Sequence, residues 1–132
     1  MKITRNQEIH SAPGPEAFFT GSVRVEMQFS QQPRTKAAAA MVTFEAGART
    51  AWHTHPAGQT LIITSGLGWV QKEGEAIVEV FPGDVIYFEP EEKHWHGASP
   101  QKAMSHLAIQ EEVDGNVVDW LEKVTDDQYK KC

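Results

Sequence analysis

Gly47-Ala48-Arg49-Thr50-Ala51-Trp52-His53-Thr54-His55-Pro56-Ala57-Gly58-Gln59-Thr60-Leu61, followed later by Pro82-Gly83-Asp84-Val85-Ile86-Tyr87-Phe88-Glu89-Pro90-Glu91-Glu92-Lys93-His94, decides how this chain folds. His53 and His55, two apart on a strand, point to one face. Gln59 follows a turn and can bring its amide back to that face. His94, at the end of the second block, supplies a fourth donor. Three imidazoles and one amide oxygen suffice to hold one divalent ion. Imidazole suits Zn, Cu, Fe and Ni, and also Mn when oxygen ligands accompany it. Four protein ligands leave an octahedron incomplete, so one or two positions are expected open to substrate or water. A neutral glutamine leaves the charge near that of the bare divalent ion. That favours Lewis-acid work, such as stabilising a developing anion, over access to a trivalent state.

At 132 residues the chain forms one domain. The formal net charge is −6, and the basic residues are scattered rather than clustered, so nucleic acid is not an expected partner. No apolar run is long enough to span a bilayer. Met1-Lys2-Ile3-Thr4-Arg5-Asn6 lacks the apolar stretch of a signal peptide, which implies a cytoplasmic protein with no membrane partner. The single cysteine, Cys132, is the last residue; it cannot form an internal disulfide and reads as an incidental surface thiol.

Outward from the two blocks, short strands alternate with Gly/Pro turns. They are expected at 23–29, 37–45, 60–64, 67–73, 76–81, 85–88 and 104–110, with a hairpin turn at Gly74. Turn signals about every 8–12 residues indicate an all-β sandwich or barrel. In the tail, 116–132, Val118, Leu121, Val124 and Tyr129 fit a helical stripe, with Thr125 as N-cap and Asp126-Asp127 in the first turn of a short C-terminal helix. Residues 15–19 read as one helical turn. The extension 1–30 precedes the core and is expected to complete a sheet, in its own subunit or a neighbour's.

Strand parity then populates the site. His94 brings His96 to its own side. On 104–110, Met104, His106, Ala108 and Gln110 share a face; on 37–45, Ala38, Ala40, Val42 and Phe44 do. Gln59 carries Leu61 and Ile63 with it. Ala40, Val42, Phe44, Leu61 and Gln110 are expected around a small-molecule substrate. His106 stands on an otherwise small, apolar strand face. Beside a cation its pKa should fall, leaving a neutral proton acceptor. His96 is the second candidate for that role; for both, a hydrogen-bonded core histidine is the alternative. Trp52, Trp69 and Trp95 read as packing, and His10 as solvated.

The two glycine- and proline-framed blocks resemble the paired motifs of the cupin family across residues 37–110. Most cupins carry glutamate where Gln59 stands. The sequence from Phe44 to Leu61, with Glu92-Lys93-His94-Trp95-His96-Gly97-Ala98 and His106-Leu107-Ala108-Ile109-Gln110-Glu111, is similar to a narrower group: small single-domain bacterial cupins that include manganese-dependent hydroxynitrile lyases. That resemblance implies a jelly-roll-like double-stranded β-helix. It implies one divalent metal, Mn first and Fe, Zn or Ni after it, on His53, His55, Gln59 and His94. Pocket residues of the group fall on Ala40, Val42, His96, His106 and Gln110. The implied reaction is reversible cleavage of an (R)-cyanohydrin such as mandelonitrile to aldehyde and HCN. A metal-dependent oxygenase and a non-catalytic small-molecule-binding cupin are the rival readings. Because small barrels expose sheet edges, a homo-oligomer, dimer or tetramer, is expected, with 1–30 covering an edge.

Overall fold

Alternation of apolar and polar residues sets the strands, and glycines with positive φ turn the corners between them. The computed structural model describes residues 1–33 and 35–130. A 3₁₀ turn at Asn6–Glu8 precedes β1 (Ser11–Pro13), β2 (Phe19–Thr20), β3 (Val23–Phe29), β4 (Ala37–Phe44), β5 (Arg49–Thr50), β6 (His53–Thr54) and β7 (Gln59–Gly66). There follow β8 (Gly68–Lys72), β9 (Val78–Val80), β10 (Val85–Phe88), β11 (His94–Ala98), β12 (Met104–Glu111), β13 (Asp119–Trp120) and α1 (Asp126–Tyr129). The all-β expectation holds. No helix among the described residues is long and apolar enough to cross a membrane.

Two antiparallel sheets face each other. One has the order β1-β3-β4-β12-β7-β10, the other β13-β6-β11-β5-β2, with β8 and β9 added beside β11. The inner faces of both supply the core: Val42, Phe44, Leu61, Ile63 and Met104 from the first, Phe19, Val70 and Ala98 from the second. Gly66 ends β7 with φ +80°, and a Cβ there would lie 1.8 Å from the Ala103 carbonyl oxygen. Only glycine fits that corner. The hairpin of β8 and β9 turns at Gly74, as expected.

Outside the second sheet lies a separate cluster of Trp52, Trp69, Trp95, Val124 and Tyr129. Arg49, on β5, reaches Asp126 at 2.8 Å and lies 4.4 Å from the Tyr129 ring. These contacts seat the tail on the sheet. The three tryptophans therefore pack, as their pattern suggests, but on the outer side of a sheet rather than inside the barrel.

The short C-terminal helix with Thr125 as N-cap is present, the extension takes one of its two expected places, and two expectations, the helical stripe before Thr125 and the helical turn at 15–19, need correction. The helix covers only Asp126–Tyr129, with Thr125 and Gln128 forming a capping box. The rest of the tail stripe, 116–124, is not helical: Asp119–Trp120 pairs with His53–Thr54, and Trp52 exchanges backbone hydrogen bonds with Leu121 and Glu122. Tertiary pairing beats local helical period there. Residues 15–19 make one hydrogen-bonded turn, Phe18 N–H to Pro15 C=O, and then enter β2 rather than a helix. As for the extension, β3 pairs with β4 of its own chain and β1 pairs with β3, so this segment completes its own sheet. Cys132 lies outside the described residues.

Candidate metal centre and pocket

β6, β7, β11 and β12 each deliver part of one histidine cluster. His53 and His94 are register partners on β6 and β11. Ring centroids stand 4.3 Å apart for His53 and His94, 5.0 Å for His53 and His55, and 5.1 Å for His53 and His96. One donor nitrogen from each of His53, His94 and His96 lies within 4.8 Å of the others. Gln59 opens β7 and places its Oε1 3.2 Å from His94 Nε2. The structure thus gathers His53, His55, Gln59 and His94, and brings His96 into the same cluster.

The tautomers separate these residues. Nδ1 of His53 bonds the Ala51 carbonyl at 2.9 Å, Nδ1 of His55 the Val117 carbonyl at 2.6 Å, and Nδ1 of His94 the Glu92 carbonyl at 2.8 Å. A carbonyl only accepts, so each Nδ1 carries the proton and each Nε2 keeps its lone pair. Backbone acceptors behind imidazoles are the usual orienting groups of metal-ligating histidines. His55 Nε2 is buried with no hydrogen-bond partner among the described residues. His96 is held differently: its Nδ1 lies 2.9 Å from His106 Nε2, and its own Nε2 is buried without a partner. Gln59 donates Nε2–H to Gln110 Oε1 at 3.1 Å, which turns Oε1 toward the histidines. Three bare Nε2 atoms and one aimed amide oxygen are a donor set that fits a divalent cation.

Electrostatics agree with that fit. Burial pushes all five imidazoles below the ordinary 6.5, His94 to about 3 and His106 to about 4. Mutual repulsion adds to burial at His53 and His96. At neutral pH the cluster is uncharged, so its lone pairs are available to a cation or a proton.

A cavity of about 130 Å³ opens beside the cluster. It is lined by His53, His55, Gln59, His96 and His106 on one side. Ala40, Val42 and Gln110 face it, as strand parity predicts. Phe44 and Leu61 do not line it. Phe44 packs behind, 5.4 Å from the His106 ring, and Leu61 is fully buried in the core. His94 sits deeper still, its ring stacked on Phe88 at 3.6 Å. Phe19, Val25, Thr50, Val117, Val118 and Trp120 also line the cavity and were not picked out from the sequence. Val118 and Trp120 share the two-residue period of a strand, a signal masked by the helical stripe assigned to the tail. His10 is exposed and outside the site.

Residues 40–109 match the family model of the cupin domain. The chain is 57% identical to an (R)-mandelonitrile lyase of Granulicella tundricola over 99% of this chain and 100% of that one. Among solved structures, a cupin-like protein of Thermotoga maritima aligns with TM-score 0.86 and 38% identity, covering 90% of each chain. The polyketide cyclase RemF of Streptomyces resistomycificus aligns with TM-score 0.71 at 14% identity, over 98% of this chain and 91% of that one, a likeness of fold alone.

Proposed function

This chain belongs to the cupin family, and from that membership and the histidine cluster we propose that it is a metal-dependent hydroxynitrile lyase. It would cleave (R)-cyanohydrins such as mandelonitrile reversibly to an aldehyde and HCN. The observation that carries the proposal is the buried His96–His106 hydrogen bond beside three carbonyl-anchored histidines, in an otherwise apolar cavity. The 57% identity to a protein named (R)-mandelonitrile lyase supports it.

His53, His55, Gln59 and His94 would hold the ion, Mn first among Mn, Fe, Zn and Ni. When bound, it supplies Lewis acidity toward a hydroxyl oxygen and a positive field for a departing anion. His96 is left out of the ligand set because its ring is held by another imidazole, that of His106, rather than by a backbone carbonyl, which makes the two histidines a proton-exchanging pair. The His96–His106 pair takes the hydroxyl proton, with His106 as the base of the pair; a neutral imidazole is competent for this at neutral pH. The carbon–cyanide bond then breaks, its electron pair leaving with cyanide and the oxygen's lone pair closing the carbonyl. The pair returns its proton to cyanide, so atoms and charge balance with no change of oxidation state. Phe19, Val25, Ala40, Val42, Ala108 and Trp120 exclude water and seat the apolar substituent of the substrate. Gln110 holds the Gln59 amide in the orientation that presents its oxygen.

His106→Ala tests the assignment. kcat for mandelonitrile cleavage should fall roughly 10²–10⁴-fold while bound metal stays stoichiometric. Unchanged kcat with full metal content would remove His106 from the chemistry.

A further inference from the structure

We infer that a vestibule beneath the N-terminal extension is a second substrate subsite, which takes the outer ring of a cyanohydrin carrying an extended, uncharged aromatic substituent. The inference rests on the lyase reading for the reacting end of that substrate; the vestibule itself rests on geometry. Beside the catalytic cavity lies a larger one, of about 520 Å³. Phe19, Val25 and Trp120 line both spaces and form the wall between them. Pro13, Pro15, Phe18 and Met27 line only the larger one, and His10 is its only polar side chain among the described residues. Sites that enclose a ligand of two or more rings usually measure about 300–1,000 Å³. The inner cavity, at about 130 Å³, falls short of that range, and the vestibule falls within it.

The sheet register draws a path from one space to the other. His106, Val42, Val25 and Ala12 are successive partners across β12, β4, β3 and β1. At about 4.8 Å per strand, Val25 stands about 10 Å from His106 and Ala12 about 14 Å. The neighbouring row, Ala108, Ala40 and Met27, floors the path with methyl groups as far as Met27. A substrate whose hydroxyl meets His106 and whose first ring lies over Val42 therefore carries a second ring across Val25, the smallest of the three wall residues, into the vestibule. Trp120 faces this path. Its ring lies 4.8 Å from that of His53 and stacks on Phe18 at 4.7 Å, so one aromatic surface runs from the histidine cluster outward. Such a surface favours a flat ring laid against it. Pro13 and Pro15 stiffen the opposite wall, which is formed before a ligand arrives. Met27, an apolar side chain 48% exposed, would be covered by that ring. Every residue lining the vestibule lies outside residues 40–109, whereas His53, His55, Gln59, His94, His96 and His106 all lie inside. The chemistry sits in the cupin core, and the vestibule is built by the segments that flank it.

Titration calorimetry of the metal-loaded full chain with para-phenylbenzyl alcohol and with benzyl alcohol, neither of which can be cleaved, reads the subsite without turnover. The two-ring alcohol should bind at least about tenfold tighter, because its outer ring leaves water. Ala12→Trp fills the vestibule, and Met27→Glu sets a carboxylate beside the outer ring. Each should cut the preference to about threefold or less, by lost space or by the cost of desolvating a charge. Met27→Glu, at an exposed position, decides the matter if Ala12→Trp fails to fold. Equal wild-type affinities for the two alcohols would overturn the proposal, as would a folded Met27→Glu that keeps the full preference. Steady-state cleavage is the second arm: both variants should lower kcat/KM for the para-phenyl derivative of mandelonitrile at least about tenfold relative to mandelonitrile itself. An unchanged ratio would also overturn the subsite. Failure of the wild type to cleave either cyanohydrin, with the binding preference present and lost in the variants, would remove the lyase reading and uphold the subsite.

Discussion

Replacing His106 by leucine should flatten the acid limb of the stability curve. His106 is fully buried, and burial lowers its pKa from 6.5 to about 4. The folded pKa lies below the unfolded one, so between the two the unfolded chain takes up a proton that the folded chain refuses. The stability contributed by the neutral ring is complete above about pH 6.5 and drains away as pH falls toward 4. For these two pKa values, going from pH 7 to pH 4.5 costs about 2.5 kcal/mol through this one group. Leucine has nothing to titrate, so that loss disappears. Burial and then the neighbouring His106 hold down the His96 pKa; removing His106 relaxes His96 as well, which acts in the same direction. At pH 7 the variant is the weaker protein, since His96 Nδ1 loses its partner at a cost of about 1–3 kcal/mol. The two proteins should therefore differ at pH 7 and converge near pH 4.5. Urea unfolding of metal-stripped protein at both pH values measures this, with slopes checked for equal exposed area. Equal losses on acidification in both proteins would refute a buried, neutral His106.

Metal retention separates the ligands from the base pair. His53→Ala and His55→Ala should lose the ion on desalting, whereas His96→Ala should keep it; elemental analysis decides, and a metal-free His96→Ala would move His96 into the ligand set. Gly66→Ala should cost about 3 kcal/mol or more, since the backbone has φ +80° and the added Cβ meets the Ala103 carbonyl oxygen at 1.8 Å. Gly74→Ala, with φ +86° but nothing within 4 Å, should cost only about 1–2 kcal/mol. Equal thermal shifts in the two variants would contradict the close approach at Gly66.

Much of the site was legible because strands make parity a strict rule. Once His53 and His55 were set inward, Gln59, Ala40, Val42, His106 and Gln110 followed, and all of them converge on the cluster or its cavity. Parity does not report depth. Phe44 and Leu61 share the inward face yet sit behind the cavity, because core packing rather than direction decides what reaches the opening. Nor does it report tautomers: that Ala51, Val117 and Glu92 carbonyls hold three Nδ1 atoms while His106 holds a fourth emerges only from three-dimensional contact. The tail misled for a different reason. Val118, Leu121, Val124 and Tyr129 carry a helical period, but Trp120 lies 4.7 Å from Phe18 in a stacked pair and 4.8 Å from the His53 ring. Such contacts, between residues far apart in sequence, hold the backbone extended beside β6. Four-residue α1 survives because its capping box is local.

The central claim is redox-neutral cleavage of a cyanohydrin at this cluster. It is tested most directly by incubating metal-loaded protein with (R)-mandelonitrile under strict exclusion of O2 and following benzaldehyde and HCN together. Equimolar release at the aerobic rate is expected, lost when the metal is chelated. Absence of cleavage with Mn, Fe, Zn and Ni each supplied in turn, or turnover that requires O2, would contradict it.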